Sequence, residues 1–301
     1  MWKISDLGEA NFCMGIVIDC DIKNHHIYLF QTALIDKTLA SFGMTDCNAV
    51  TTPMETGLIL SCYPETDLSR EEELENAKFP YCQLIGLLMY LAIRTCPDIA
   101  LAVQKLSQFL TSFNQSHIKA AKHLMRYLAG TRHLKLRLGG SALCDVIGFV
   151  DASYACCPDT GKSMGAYCFS LGGGMVSWAS RKQKTVAQSS TDAEYIAVSE
   201  AAGECMWLRM LTSEIGLGQN WPTPLLCDNN GALALSKDPQ FHARAKHINV
   251  KCHYIRECGE NGDILVTRIP SEDNVADILT KPLPAKTFLR LRSYLGLCDK
   301  P

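Results

Sequence analysis

The chain carries no apolar run of membrane-spanning length, no C-x-x-C pair and no excess of positive charge. Each absence excludes something. Without a stretch of about 20 apolar residues no membrane-spanning helix is expected, and Met1-Trp2-Lys3-Ile4-Ser5-Asp6 lacks the layout of a signal peptide. Fifteen cysteines scattered without paired spacing read as reduced core thiols of an intracellular protein, not as a disulfide framework. A net charge of −2 gives no global attraction to nucleic acid, so any such surface must be local. What remains is ample. With 301 residues, 47% hydrophobic and 20% charged, the chain can build a sizeable core and two domains.

One segment invites a metal reading. "HARAKHINVKCHYIREC" gathers His242, His247, Cys252, His253 and Cys258. Structural zinc sites use paired short ligand spacings, and these are missing. The spacing suits a helix with buried thiols better.

The first third opens with two alternating runs, "NFCMGIVID" and "HHIYLFQ", which read as a β-hairpin. "ALIDKTLASFG" is a short helix stopped by Gly43. Residues 61–78 are polar and acidic around Glu71-Glu72-Glu73 and read as an exposed linker. Three helical stretches follow: Gln83 to Ile93, then "PDIALAVQKLSQFL" opened by Pro97, then "SHIKAAKHLMRYLAG" capped by Gly130. In the third, Ile118, Ala121, Leu124, Met125 and Leu128 form a buried stripe, while Lys119, Lys122 and Arg126 share another face. A charged helix face is most often simply solvated, and a phosphate-binding role is the sharper alternative.

From Leu143 the pattern changes. "CDVIGFVDAS" reads as a strand and "GAYCFSLGGGMVSWAS" as two strands about a Gly-rich turn. A long helix runs from about Ser190 to Ile215. "PTPLLCDNN" is a strand, "GALALSKD" a short helix, "DILVTRIP" a strand and "SEDNVADILTK" a final helix. Three strands followed by alternating helices and strands imply an α/β layer fold with a mixed sheet.

Four carboxylates then stand out by position. Asp151 lies near the end of the first of these strands, Glu194 in the first turn of the long helix, Asp228 at a strand end and Asp277 one turn into the last helix. Strand ends and helix starts meet at one edge of an α/β sheet, where ligands bind. Each residue has a plain structural alternative. Thr191 and Glu194 match a capping box, Asp228 precedes a turn, Asp277 suits solvent and Asp151 could end a strand. Taken together, however, four acids at one edge call for cations. Two Mg²⁺ ions, hard and oxygen-seeking, suit them, with Mn²⁺ as a substitute.

The motifs "GFVDASY", "GAYCFSLGGGMVSWASRKQKTVAQSSTDAEY", "LLCDNNGALALSKDPQFHARAKHINVKCHYIRE" and "IPSEDNVADILTKPL" resemble the ribonuclease H domain of copia-type LTR retrotransposon polyproteins. Upstream, "ISDLGEANFCMGIVID", "QTALIDKTLASFGMTDCNAVTTPM" and "PYCQLIGLLMYLAIRTCPDIALAVQKLSQF" resemble the end of the reverse transcriptase of the same polyproteins. The resemblance implies a truncated reverse transcriptase (late palm, thumb and connection) over residues 1–140. It implies a ribonuclease H-like mixed sheet with flanking helices over 141–285, and a tail over 286–301. It matches Asp151, Glu194, Asp228 and Asp277 to the family's metal-binding carboxylates.

The implied activity is endonucleolytic hydrolysis of the RNA strand of RNA–DNA hybrids by two metal ions. Lys119, Lys122, Arg126, Arg181, Lys182 and Lys184 are the expected phosphate contacts. The implied partners are the hybrid and other parts of the polyprotein, with no membrane, in the cytoplasm (within a virus-like particle) or the nucleus.

Two departures qualify the match. The family's Asp-Ala-Asp-Trp is Asp151-Ala152-Ser153-Tyr154 here, and no histidine lies between His253 and Asp277. A third feature bears on polymerisation: the Tyr-x-Asp-Asp hairpin that it requires is absent, so primer extension is not expected. The rival readings are a catalytically silent nucleic-acid-binding remnant and a DDE-type transposase or integrase. The latter's acidic order is Asp, Asp, Glu, whereas here it is Asp, Glu, Asp, Asp.

Overall fold

The computed structural model describes residues 8–62, 78–140, 145–231, 233 and 249–299. Most of the acidic stretch, most of "GALALSKD", and His242 and His247 fall outside them. Among the described residues no helix is long and apolar enough to cross a membrane.

The expected hairpin forms. β1 (Phe12–Cys13), β2 (Ile16–Asp21) and β3 (His26–Phe30) pair antiparallel, and the β2–β3 turn is held by Asn24, whose backbone and side-chain N–H groups donate to the Asp21 carboxylate. Helix α1 (Thr32–Ser41) follows, and Gly43 behind it takes φ +65°, a left-handed conformation that costs glycine little. A helical layer comes next: α2 (Tyr81–Arg94), a 3₁₀ turn at Pro97–Ile99, α3 (Ala100–Ser107) and α4 (Gln115–Thr131). The start of α4 is firm, because the Asn114 side chain accepts from Ser116 N and His117 N while His117 Nδ1 accepts from Asn114 N.

Strand β4 (Lys135–Gly139) joins β3 and closes the first sheet with β10 (Leu297–Cys298), in the order β1-β2-β3-β4-β10. The second sheet contains β5 (Ile147–Ser153), β6 (Met164–Leu171), β7 (Gly174–Lys182), β8 (Thr223–Cys227) and β9 (Ile264–Arg268). Its order is β7-β6-β5-β8-β9, antiparallel through β5–β6–β7 and parallel through β5–β8–β9. This is the mixed sheet that the resemblance implied.

Successive residues of a strand face opposite sides, and β6 uses both. Ala166 and Cys168 join the core built on α2, α3 and α4, while Tyr167 and Phe169 join the core under α5 (Ser190–Glu214). The sheet is therefore buried on both faces. That burial leaves no room for a side chain at Gly148, where a Cβ would lie 2.6 Å from Leu225 Cδ2 and from Phe169 Cε1.

Two expectations are corrected. "SEDNVADILTK" is not one helix but two 3₁₀ turns, Ser271–Asp273 and Val275–Leu279. They are separated by Asn274, an extended residue whose side chain is engaged elsewhere. Residues 286–301, expected as a tail, instead supply most of α7 (Ala285–Tyr294) and all of β10. Phe288, Leu291 and Leu295 bury one face of that helix in the core of the helical layer. The thiols also depart from expectation. All thirteen described cysteines are free, but Cys13, Cys20, Cys62 and Cys82 are exposed. Of the segment that invited a zinc reading, α6 (Asn249–Glu260) forms as a helix and buries Cys258.

A buried polar link fastens α7 to the helical layer. Tyr127 OH donates to Asp98 Oδ2, and Arg292 Nη1 donates to Tyr127 OH at 3.0 Å. Burial raises the Asp98 carboxyl above its ordinary range, while the Tyr127 hydroxyl and the Arg292 charge oppose that rise. Tyr127→Phe removes the central hydroxyl and leaves a buried acceptor short of its donor. The expected loss is about 1–3 kcal/mol in chemical denaturation, and a loss within experimental error would show the link to be dispensable.

Candidate active site

The strand register brings one set of ends together. β5 and β8 run parallel, so Asp151 and Asp228 lie at the same edge of the sheet. β6 begins there and β7 ends there, since Met164 pairs with both Ser153 and Lys182. The loop after Lys182 leads straight into α5, which carries Glu194.

The long helix is anchored at its first turn. Its N-cap is Ser189, whose Oγ accepts from Asp192 N, and the Asp192 carboxylate accepts from Gln188 N. The Thr191–Glu194 capping box is therefore not what starts this helix. Gln183 fixes the helix to the strands: its backbone N–H donates to Ser163 O, and its Nε2 donates to Ala193 O at 2.8 Å. Glu194 is left to turn inward, only 5% exposed, where it accepts a hydrogen bond from the Ala152 backbone and one from the Cys227 thiol at 3.9 Å.

Asp277 arrives through Asn274. The fully buried Asn274 donates from Nδ2 to Val150 O at 2.9 Å and accepts from Ala276 N. This ties the 3₁₀ turn to β5, one residue from Asp151. The same turn supplies two groups that the sequence pattern did not single out. Thr280 Oγ1 donates to Asp151 Oδ2. Lys281 Nζ lies 3.2 Å from Asp151 Oδ1 and 2.8 Å from Asp277 Oδ1. The spacing of Asp277 and Lys281 by four residues was the available signal, because such pairs meet on one side of a helical turn.

The structure thus gathers all four expected carboxylates, and their plain alternatives fare poorly. Asp151 is fully buried within its strand. Asp277 is largely covered. The turn after Asp228 is closed by Asn229, whose Oδ1 accepts from Gly231 N. Asp151, Asp228 and Asp277 each bring an oxygen within 4.8 Å of the others. Glu194, Cys227 and Asp228 form a second such group, so Asp228 belongs to both. The first group is all oxygen, the donor set that hard divalent cations take. Cys227 fits such a cation less well, since burial pushes its thiol up to about 12 and keeps it neutral.

The electrostatics follow from this crowding. Burial, then the charges of Asp151 and Asp228, push Glu194 up to about 9. Burial and Asp151 push Asp277 up to about 6 against the pull of Lys281. For Lys281 burial favours the neutral amine, but Asp151 and Asp277 outweigh it and hold the ammonium above the ordinary lysine range.

The six expected phosphate contacts divide into two sets. Arg181, Lys182 and Lys184 are at or just beyond the β7 end, on the acidic edge, where Lys182 Nζ donates to Cys157 Sγ. Lys119, Lys122 and Arg126 are on α4, in the helical layer. There Lys122 lies over the Phe79 ring and Arg126 Nε donates to Asn48 O at 2.7 Å.

An α/β protein with four carboxylates converging at one edge of a mixed sheet is the class that fold and site define. No protein-family model matches the chain, but curated relatives do. It is 39% identical over 300 residues to the Retrovirus-related Pol polyprotein from transposon TNT 1-94 of Nicotiana tabacum, covering 98% of this chain and 22% of that protein. It is 37% identical over 300 residues to the corresponding polyprotein from transposon RE1 of Arabidopsis thaliana, covering 100% of this chain and 20% of that protein. For transposon RE2 of the same plant the identity is 34% over 275 residues, with 91% and 18% covered. The chain belongs to the retrovirus-related Pol polyproteins of copia-type transposons, and spans about a fifth of the length of these relatives. Among solved structures, LC11-RNase H1 in complex with RNA/DNA hybrid aligns over 45% of this chain and 94% of that one, at 15% identity and a TM-score of 0.32.

The raised Glu194 sets a pH dependence in metal-free protein. A carboxyl with a pKa near 4.5 unfolded and about 9 folded costs stability progressively as pH rises between those values, because the unfolded chain releases its proton first. Glu194→Gln removes that cost. In EDTA its melting temperature should exceed that of the wild type at about pH 8, and the two should converge near pH 4.5. A variant equally stable or less stable at the higher pH would remove Glu194 from the repulsive cluster.

Proposed function

We propose that this chain hydrolyses the RNA strand of RNA–DNA hybrids as an endonuclease, using divalent cations held by Asp151, Glu194, Asp228 and Asp277. The observation that carries this reading is the convergence of the four carboxylates, from four separate elements, on one sheet edge. Membership in the Pol polyproteins supports a nucleic acid as the substrate.

Asp151, Asp228 and Asp277 would hold one cation, and Glu194 with Asp228 would contribute to a second. Two bound Mg²⁺ ions would supply an activated water and charge stabilisation at the leaving oxygen of the phosphodiester. The chain's own groups do the rest. Asn274 and Gln183 hold the turn and the helix that present the acids. Arg181, Lys182 and Lys184 would position phosphates beside them without reading sequence. The 2′-hydroxyl distinguishes the strand to be cut.

The test is direct. Purified protein with Mg²⁺ or Mn²⁺ should cut a labelled RNA–DNA hybrid, leave duplex DNA intact and do nothing in EDTA. Asp151→Asn and Glu194→Gln should each reduce cleavage by at least about a hundredfold, given the several kcal/mol that metal-ion charge stabilisation supplies. Wild-type protein that binds hybrid without cutting it would identify a silent remnant instead.

The two basic sets predict different salt behaviour. Neutralising Arg181, Lys182 and Lys184 should flatten the log–log salt dependence of hybrid binding by about 0.9 for each phosphate that the protein no longer neutralises. Neutralising Lys119, Lys122 and Arg126 should flatten it less, because α4 belongs to the helical layer and not to the edge where the carboxylates converge. The opposite ranking would move the nucleic-acid path onto α4.

A further inference from the structure

Lys281 is the one cation seen in ion pairs with the acidic edge among the described residues. Its ammonium sits between Asp151 Oδ1 and Asp277 Oδ1, at 3.2 and 2.8 Å. The other Asp151 oxygen accepts from Thr280 Oγ1, so neighbouring residues of a single turn satisfy both oxygens of the buried acid.

We infer that Lys281 is a resident counter-cation that holds the acidic edge together before metal arrives and is displaced when a divalent ion binds. The reasoning is steric as well as electrostatic. A Mg²⁺ ion needs its carboxylate oxygens at about 2.0–2.1 Å in near-octahedral array. An ammonium already bridging two of those oxygens occupies the space between them, and its charge repels the ion. It also has a way out. The Lys281 side chain is 39% exposed, whereas Asp151 is 1% exposed, so the four-carbon stem can swing to solvent while the acids stay put. Lysine suits this exchange because its charge is compact and its stem flexible. Lys281 is thus a positioning residue. It keeps Asp151 and Asp277 close together against their repulsion, and it sets how strongly a divalent ion must bind to take its place.

This inference rests on the metal-site reading above, and the experiment separates the two. Wild-type protein comprising all 301 residues, without nucleic acid, is titrated with MgCl₂ by calorimetry. In parallel, trace acetylation of its lysines is read by mass spectrometry, with Lys119 and Lys184 as internal references. Displacement predicts that Lys281 acetylates several-fold faster once Mg²⁺ is bound. It also predicts that Lys281→Met binds Mg²⁺ about tenfold tighter or more, as expected from removing one unit charge beside the ion, yet melts lower than wild type in EDTA. Lys281→Arg, which keeps the charge, should bind close to wild type. If wild-type protein binds Mg²⁺ while Lys281 reactivity is unchanged or falls, the ammonium stays beside the ion and the displacement is wrong. Equal or weaker Mg²⁺ binding by Lys281→Met overturns the competitor role. Wild-type protein that takes up no Mg²⁺ overturns the metal-site reading itself, and this inference with it.

Discussion

Like charges held together in a poorly hydrated place are the constraint around which this molecule is arranged. Two unit charges about 4 Å apart repel by roughly 4 kcal/mol at the effective dielectric of a protein surface. A whole domain is stable by only about 5–15 kcal/mol. Asp151, Glu194, Asp228 and Asp277 therefore cannot all be ionised side by side unless protons or cations intervene. Burial and the neighbouring acids raise the Glu194 carboxyl to about 9, which favours its protonated form, and Lys281 places its ammonium between Asp151 and Asp277.

Such an arrangement needs a frame that does not yield. The mixed sheet supplies it by being buried on both faces, with the helical layer on one side and α5 on the other. Three buried amide contacts carry that rigidity to the site: Gln183 to the start of α5, Asn274 to β5, and the Ala152 backbone to Glu194. The core of the helical layer also takes in Ala166, Cys168 and Met175 of the sheet and Phe288 and Leu291 of α7. The regions that read separately along the chain therefore share one apolar interior. The Asp98–Tyr127–Arg292 link runs through the same interior.

Much of this was legible in advance. Alternating apolar residues marked the hairpin and the strands of the mixed sheet, and helical periodicity marked α2, α4 and α5 to within a few residues. Two misreadings have specific causes. "SEDNVADILTK" has helical composition, but Asn274 spends its side chain on Val150 O and Ala276 N, which no local pattern reveals. Residues 286–301 lie beyond Pro282 and Pro284 and outside the stretch that carries the resemblance, so no motif marked them as part of the core. The spacing of Phe288, Leu291 and Leu295 nevertheless carried a helix signal, and all three are buried.

The sequence by itself determined which residue types were available and how far apart they lay: four acids at strand ends and helix starts, and a basic residue one turn beyond the last acid. These follow from local periodicity and turn chemistry, which act over a few residues. Only the tertiary structure decided that Glu194 turns inward and that Lys281 reaches a carboxylate 130 residues earlier. Those outcomes depend on strand register and on buried hydrogen bonds between distant segments. The energy of such contacts exists only once the sheet has brought the partners together and excluded water from between them.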